Sequence, residues 1–289
     1  MGKVVGNVSL LVLLILFIST ESSKIIREKR QSDDLLIGAW NIQTFGVTKM
    51  SRPEVVVSLV AVILRYDVLL IQEIRDASFT AIFQLLDEVN RNDPTGDEWA
   101  MELSDRLGRS TSKEQYAYFY RVSLVSIDGD DQYPESRDEF ERPPYTVRLR
   151  TSTSAGTFSF GGIHVKPGDA VAEIDGLADV YDHVVGVTGD SNVLLGGDFN
   201  AGCSYVRPGD WEFIRLRTQS RFTWLIGDDA DTNVAQGSQC AYDRLVVSGS
   251  RLLGAVRSAN VYRFDDALGL SNSEAMAVSD HYPVEMEIV

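Results

Sequence analysis

At 289 residues, 44% hydrophobic and 24% charged, the chain has the composition of a folded globular protein, with room for one large domain or two small ones and no low-complexity tract or fixed-period repeat. Its formal net charge is −15; residues 1–30 hold five basic and two acidic groups, which leaves 22 basic against 40 acidic in the remainder. That balance excludes a protein that coats nucleic acid by electrostatics alone and suits one that binds divalent cations, so a nucleic-acid substrate would be met by a local basic face and by metal ions.

The first element in chain order is a leader. Lys3 opens it, Val8 to Ile18 ("VSLLVLLILFI") is almost wholly apolar, and small polar residues follow from Ser19 to Ser23. The run is too short for a membrane span, so residues 1–23 read as a secretory signal peptide and the protein as secreted. Residues 24–30 end in Arg27-Glu28-Lys29-Arg30, the Arg-x-Lys-Arg form that furin-like proteases read; a propeptide and a basic linker both fit. Residues 31–289 then form one domain, since no linker divides them. In an oxidising compartment the two cysteines, Cys203 and Cys240, read as one disulfide.

"LLIGAW" (Leu35 to Trp40) is expected as a buried strand. "SRPEVVVSLVAVILR" follows as a helix with Ser51 as N-cap, Pro53 in the first turn and Glu54 completing a capping box. "DVLLIQ" (Asp67 to Gln72) reads as a second strand. Ser78 to Asn90 reads as a helix with Ile82, Leu85, Leu86 and Val89 at core spacing. The alternating aromatics of "QYAYFYRV" predict a half-buried strand. Shorter strands are expected at Thr146–Leu149, Thr157–Ile163, Asn192–Leu195, Arg244–Val247, Ala255–Val261 and Val284–Ile288, with a helix over Asp169–Val187. Strands outnumber helices and several are apolar on both faces, which gives an α/β sandwich with several strands per sheet.

The strand ends carry the chemistry. "LLIGAWN" runs into Asn41, "VLLIQE" into Glu73, "FSFGGIH" into His164 and "VLLGGDFN" into Asp198 and Asn200; Asp243 precedes one strand, and Asp280 and His281 precede the last. Six strands that each offer an acid, an amide or a histidine at a terminus point to one convergent site. Glu73, Asp198, Asn41 and Asn200 are hard oxygen ligands of the kind Mg²⁺ or Ca²⁺ prefers. Two histidines with carboxylates at hand supply a general base and a group that stabilises charge on phosphate. With no Walker loop, Ser-centred elbow or zinc-type Cys/His cluster, the set suits hydrolysis of a phosphodiester by a metal-assisted water.

Eight stretches, "IQTFGVTKMS", "YDVLLIQEIRD", "RLGRSTSKEQYAYFYR", "GDAVAEIDGLADVY", "GDFNAGCSYV", "IRLRTQSRFTWLI", "CAYDRLVV" and "GLSNSEAMAVSDHYPVE", together resemble the deoxyribonuclease I family of secreted DNA endonucleases, in collinear order from Leu35 to Val289. "GDFN" or "SDHYP" alone would indicate only the wider phosphodiesterase superfamily; "GDFNAGCSYV" and "CAYDR" are narrower. The resemblance implies a four-layer α/β sandwich, two packed mixed β-sheets flanked by helices, cutting double-stranded DNA to 5′-phosphate ends with Mg²⁺ and Ca²⁺. Carried over residue by residue, it pairs Glu114 with His164 and Asp243 with His281. It sets Asn41, Glu73, Asp198, Asn200 and Asp280 around the catalytic ion and scissile phosphate, and a structural Ca²⁺ around Asp231. It turns Arg75, Arg142, Tyr205 and Tyr242 toward the DNA backbone and joins Cys203 to Cys240. A monomer without membrane attachment is expected. His183, beside Asp182 in a helical stretch, reads as a surface histidine, and Arg109 as a DNA contact or a solvated loop residue.

Three departures from the family pattern stand out. Ser112 occupies a place where a tyrosine often stacks in the minor groove, and Gln43 replaces a DNA-contacting arginine. "DGDDQYPESRDEF" keeps acids (Asp131, Asp138) but lacks the cysteines of a second disulfide, which bears on a second Ca²⁺ site. Actin binding does not transfer, because "DEWAMELSDR" departs from the relevant patch. Two rival readings are a phosphodiesterase for lipid or small-molecule phosphates, which needs a headgroup-binding extension absent here, and a non-catalytic actin-sequestering protein, which predicts decay of the histidine and acid set.

Overall fold

The computed structural model describes residues 34–135 and 137–289; the leader and the Arg-x-Lys-Arg run lie outside the described residues. In chain order the elements are β1 (Leu35–Phe45), α1 (Val47–Met50), α2 (Pro53–Ile63), β2 (Val68–Ile74), α3 (Ala81–Asn92), β3 (Trp99–Leu103), β4 (Gln115–Arg121), β5 (Val125–Gln132), β6 (Tyr145–Thr151), β7 (Thr157–Gly162), α4 (Ala170–Thr188), β8 (Val193–Asp198), α5 (Arg215–Thr218), β9 (Thr223–Trp224), β10 (Asp243–Ser248), α6 (Ser250–Ala255), β11 (Val256–Val261), α7 (Phe264–Leu268), α8 (Asn272–Val278) and β12 (Val284–Ile288). The strands form two six-stranded mixed sheets, ordered β11-β12-β1-β2-β4-β3 and β5-β6-β7-β8-β10-β9.

Side-chain alternation along β1 and β2 explains how the layers stack. Leu35, Ile37, Ala39, Val68 and Leu70 point between the sheets, where they meet Phe158, Phe160, Leu194 and Leu245. Leu36, Trp40, Leu69 and Ile71 point the other way, onto Val55, Leu59 and Ile63 of α2 and Ile82 and Leu85 of α3. On the far side, Ile174, Leu177, Val180 and Val184 of α4 pack against Val193, Leu195 and Val246. Three apolar cores separate four layers, helix, sheet, sheet and helix. Among the described residues no helix is long and apolar enough to cross a membrane.

Three local expectations are corrected. Ser51 does not cap α2: it ends α1, its N–H bonding Val47 O and its hydroxyl donating back to Thr48 O, and α2 starts from Arg52 with no side-chain cap. The chain turns from one helix straight into the next, so the serine is still in helical conformation. Helix α3 starts at Ala81 rather than Ser78, because the Asp76 carboxylate takes the N–H groups of Ser78, Thr80 and Ala81 and holds the intervening residues in a capping turn. Strand β4 is buried on both faces rather than half-buried, since Tyr116 and Tyr118 enter the inter-sheet core while Ala117 and Phe119 face the helices.

The topology gathers the polar strand ends at one edge. Strands β1 and β2 run parallel, as do β7 and β8, and Asn41, Glu73, His164 and Asp198, in the C-terminal half of these strands or just beyond, come within contact of one another. Strands β10 and β12 run antiparallel to these and contribute their starts; Asp243 pairs directly with Asp198 in the ladder.

Candidate active site

His164 follows β7, and its Nδ1 lies 2.8 Å from Glu114 Oε2. Glu114 precedes β4, tied by a two-bond bridge to Leu107, and is 2% exposed. Its Oε1 accepts from Arg75 Nη2 at 2.7 Å, and Arg142 Nε stands 3.5 Å from Oε2. Burial alone would raise this carboxyl; the His164 hydrogen bond and the charges of His164 and Arg142 outweigh it and bring the pKa down to about 2. Glu114 is therefore ionised, and an ionised carboxylate on Nδ1 assigns the proton there and leaves Nε2 facing the site.

The second imidazole is built the same way. His281 Nδ1 lies 2.8 Å from Asp243 Oδ2. Trp40 Nε1 donates to His281 O, and Ser279 Oγ accepts the His281 N–H while donating to Asn41 O, so the ring is fixed to β1. Burial works against a charged imidazole, but the neighbouring Asp243, Asp198 and Asp280 hold the His281 proton well above the usual histidine range. Burial also pushes the Asp243 carboxyl up to about 6 against the pull of His281. The pair thus keeps a proton across neutrality.

Both rings aim at one atom. His164 Nε2 is 3.4 Å and His281 Nε2 3.6 Å from Asp198 Oδ2. The same oxygen accepts from Asn41 Nδ2 at 3.1 Å, and that amide also donates to Glu73 Oε1 at 3.0 Å. Asn200 N donates to the other Asp198 oxygen at 2.9 Å, while its side-chain amide holds Val165 O. Glu73 sits at φ +60°, a costly conformation for a non-glycine, and is held there by the Thr44 N–H on Oε2 and by Asn41 on Oε1.

Glu73 and Asp198 share one amide donor, and Asp243 Oδ1 and Asp280 Oδ1 are buried without a hydrogen-bond partner. Such concentrated, hard oxygen fits a divalent cation, and Glu73 and Asp198 are the groups that would hold it directly, with Asn41 and Asp280 beside them. Asp198, Asp243 and His281 also bring ligand atoms within 4.8 Å of one another. That trio is the weaker candidate, because His281 Nδ1 and Asp243 Oδ2 are already spent on each other.

The remaining expected residues fall around this centre. Asp280 Oδ1 is 3.8 Å from His281 Nε2. Tyr205 packs against Tyr242 at 5.6 Å between centroids, and Tyr242 against His281 at 6.1 Å, each pair with its rings tilted, so aromatic side chains flank the site. Arg75 is partly exposed, whereas Arg142 is buried with Nε on His164 O, so its charge braces the Glu114–His164 pair rather than standing free. Asp231 is not brought to the cluster: it sits on a separate cleft of about 780 Å³, 3.7 Å from Arg263. Cys203 and Cys240 are joined, with Cα atoms 5.7 Å apart. His183 lies away from the site, bonded through Nε2 to Asp131, and Arg109 is engaged by Asp138. Ser112 is exposed and Gln43 partly so.

Three contributors went unread in the sequence. Lys49 places its ammonium on Ile42 O, Gln43 O and Val278 O, clasping the segments that carry Asn41 and Asp280. Tyr116 OH accepts the His164 N–H, and Gln72 lies behind Glu73 against β7 and β8. Nothing local distinguishes these residues from ordinary strand or helix positions.

The profile of the Endonuclease/Exonuclease/phosphatase family matches residues 38–281. Human deoxyribonuclease-1 is 48% identical over 260 residues, spanning 87% of this chain and 91% of that protein. Deoxyribonuclease-1 of Bos taurus is 45% identical over 262 residues, 88% of this chain and 92% of that one. Among solved structures, an endonuclease/exonuclease/phosphatase family protein from Bacteroides thetaiotaomicron superposes with a TM-score of 0.56 at 16% identity, covering 88% of this chain and 94% of the other. The human Nocturnin catalytic domain gives 0.61 at 13% identity over 91% and 97%. The structural likenesses speak for the fold; the sequence likenesses, over nearly the whole described region, are narrower. The chain belongs to the deoxyribonuclease I family, within the endonuclease/exonuclease/phosphatase family.

Proposed function

We infer that this protein is an endonuclease that hydrolyses phosphodiester bonds of double-stranded DNA, leaving 5′-phosphate ends, and that it does so with Mg²⁺ and Ca²⁺. The observation that carries this reading is the convergence of two imidazole–carboxylate pairs on Asp198 Oδ2, next to Glu73 and Asn41. The likeness to deoxyribonuclease-1 supplies the substrate class.

A cation held by Glu73 and Asp198 would neutralise charge on the phosphate when bound. The rest of the chemistry belongs to the side chains. His164, with Nδ1–H on ionised Glu114, presents Nε2 as the base that takes a proton from the attacking water as the new O–P bond forms. His281, protonated against Asp243, presents Nε2–H to the 3′ oxygen as its bond to phosphorus breaks, which leaves a 3′ hydroxyl and a 5′ phosphate. Tyr205 and Tyr242, beside His281, and Arg75, beside Glu114, are proposed to meet the DNA backbone flanking that phosphate.

A substrate panel tests the assignment: purified protein should nick supercoiled plasmid and leave a choline-headgroup lipid phosphodiester untouched, and the opposite preference would overturn it. Secretion, with residues 1–23 removed and processing after Arg30, belongs to the same proposal; N-terminal sequencing of secreted material should begin at Gln31, and a start at Lys24 would count against the processing step. The disulfide is consistent with that route. Asp231, on its own cleft, is proposed as the structural Ca²⁺ ligand.

A further inference from the structure

The parallel ladder between β7 and β8 has one rung replaced by a side chain. Regular rungs run Ser159 N to Asn192 O and Ile163 N to Gly196 O, and the ladder resumes with Val165 N to Asp198 O. The alternation of a parallel pair requires Asp198 N to donate to Ile163 O in between. Instead the carboxamide of Gln72, a fully buried residue of β2 in the opposite sheet, stands in the gap: its Nε2 donates to Ile163 O at 2.5 Å and its Oε1 accepts from Asp198 N at 2.9 Å. Two hydrogen bonds and the width of an amide separate atoms that would otherwise bond directly. Gly197 makes room for the insertion. Its φ is +133°, and a Cβ there would come within 2.6 Å of Gln72 Nε2 and 2.3 Å of Ile163 O.

The carbonyl that Gln72 holds belongs to the peptide unit Ile163–His164. The N–H of that unit is held as well, by Tyr116 OH at 2.9 Å, again from the opposite sheet. One peptide plane at the end of β7 is thus gripped at both ends by buried side chains of β2 and β4. The gripped plane carries His164, the inserted amide fixes the N–H of Asp198, and Gln72 itself precedes Glu73.

We propose that Gln72, with Tyr116, is the positioning residue that sets His164 and Asp198 apart and in line, by taking the place of a ladder rung between their strands. This rests on the catalytic reading given above. A direct rung would draw the two strands together at this point and turn both functional side chains. Displacing reacting groups by about 1 Å costs about 100-fold in rate, so Gln72→Met, similar in length and unable to bond either partner, should lower kcat on plasmid DNA by about 10- to 100-fold and leave KM within about twofold.

The test pairs kinetics with imidazole NMR, which three histidines make tractable. In Gln72→Met the ring resonances of His164 should move while those of His183 stay. Tyr116→Phe, which removes only a hydroxyl, is the milder companion: it should lower kcat several-fold and shift the same ring. Wild-type kcat and unmoved His164 signals in a folded Gln72→Met, whatever its melting temperature, would overturn the proposal by leaving Gln72 a stabilising role only. If Gln72→Met does not fold, an unchanged Tyr116→Phe overturns it equally. Should the wild type fail to cut DNA, the functional reading falls, and the His164 shift still decides whether Gln72 positions the ring.

Discussion

Replacing Glu114 with Gln removes a buried negative charge on which three groups depend. His164 Nδ1 and Arg75 Nη2 are bonded to it at 2.8 and 2.7 Å, and buried Arg142 stands at 3.5 Å. The carboxyl's pKa is drawn from its ordinary 4.5 to about 2. At about 1.4 kcal/mol for each tenfold change in proton affinity, the ionised form stabilises the folded protein by about 3 kcal/mol. The residue is almost fully buried, so little of this is lost to solvent screening. The sign follows from the depressed pKa: the stabilisation is present above about pH 4.5 and is lost as pH falls toward 2. Urea unfolding at pH 7, 5 and 3 should therefore show Glu114→Gln less stable by about 3 kcal/mol at pH 7, with the gap closing between pH 4.5 and 2. Plasmid nicking should fall by about 10²- to 10⁴-fold, because Gln neither holds the Nδ1 proton as strongly nor supports a charged ring. A gap under about 0.5 kcal/mol that does not change with pH would refute the description of Glu114 as an ionised, paired carboxylate.

His164→Ala and His281→Ala should each lower plasmid nicking by about 10²- to 10⁴-fold with unchanged far-ultraviolet ellipticity, since both rings lie at strand ends; wild-type rates in either would remove that histidine from the chemistry. The double change Ser112→Tyr with Gln43→Arg adds an aromatic contact worth about 0.5–1.5 kcal/mol and a charge at the rim of an acidic protein. It should lower KM for duplex DNA, with the arginine contributing most at low salt, and unchanged KM at every ionic strength would show that neither position meets the duplex.

How much of this was legible in the sequence depends on what kind of signal each residue leaves. Asn41, Glu73, His164, Asp198, Asp243 and His281 interrupt apolar runs, and a polar residue at the end of a buried strand is conspicuous because strand interiors exclude it. The two-sheet, four-layer arrangement follows from the same runs, as Leu35, Ile37 and Ala39 alternate with Leu36 and Trp40 to feed two cores. Glu114 was reached by family resemblance, because it sits in a polar loop with nothing local to single it out. Strand β5 was not expected at all: it is an edge strand bearing Asp128, Asp130 and Asp131 around Gly129, and its alternation is erased by the charges that keep an edge from pairing. Gln72 takes its role from the distant β7–β8 rung, and Lys49 ties the nearby Ile42 and Gln43 carbonyls to the distant Val278 carbonyl, and no window around either residue contains those distant partners.

Two imidazole–carboxylate pairs and a divalent cation should act together on a DNA phosphodiester at Asp198. Conversion of supercoiled plasmid to nicked circles by the purified protein tests this joint action most directly, run with Mg²⁺ and Ca²⁺, with a chelator, and with Asp198→Asn, followed by ligation of the product to read its ends. The wild type with metal should nick rapidly to ligatable 5′-phosphate ends, and nicking should be lost in the other two arms. Nicking that survives the chelator, or an Asp198→Asn protein that cuts at the wild-type rate, would contradict it.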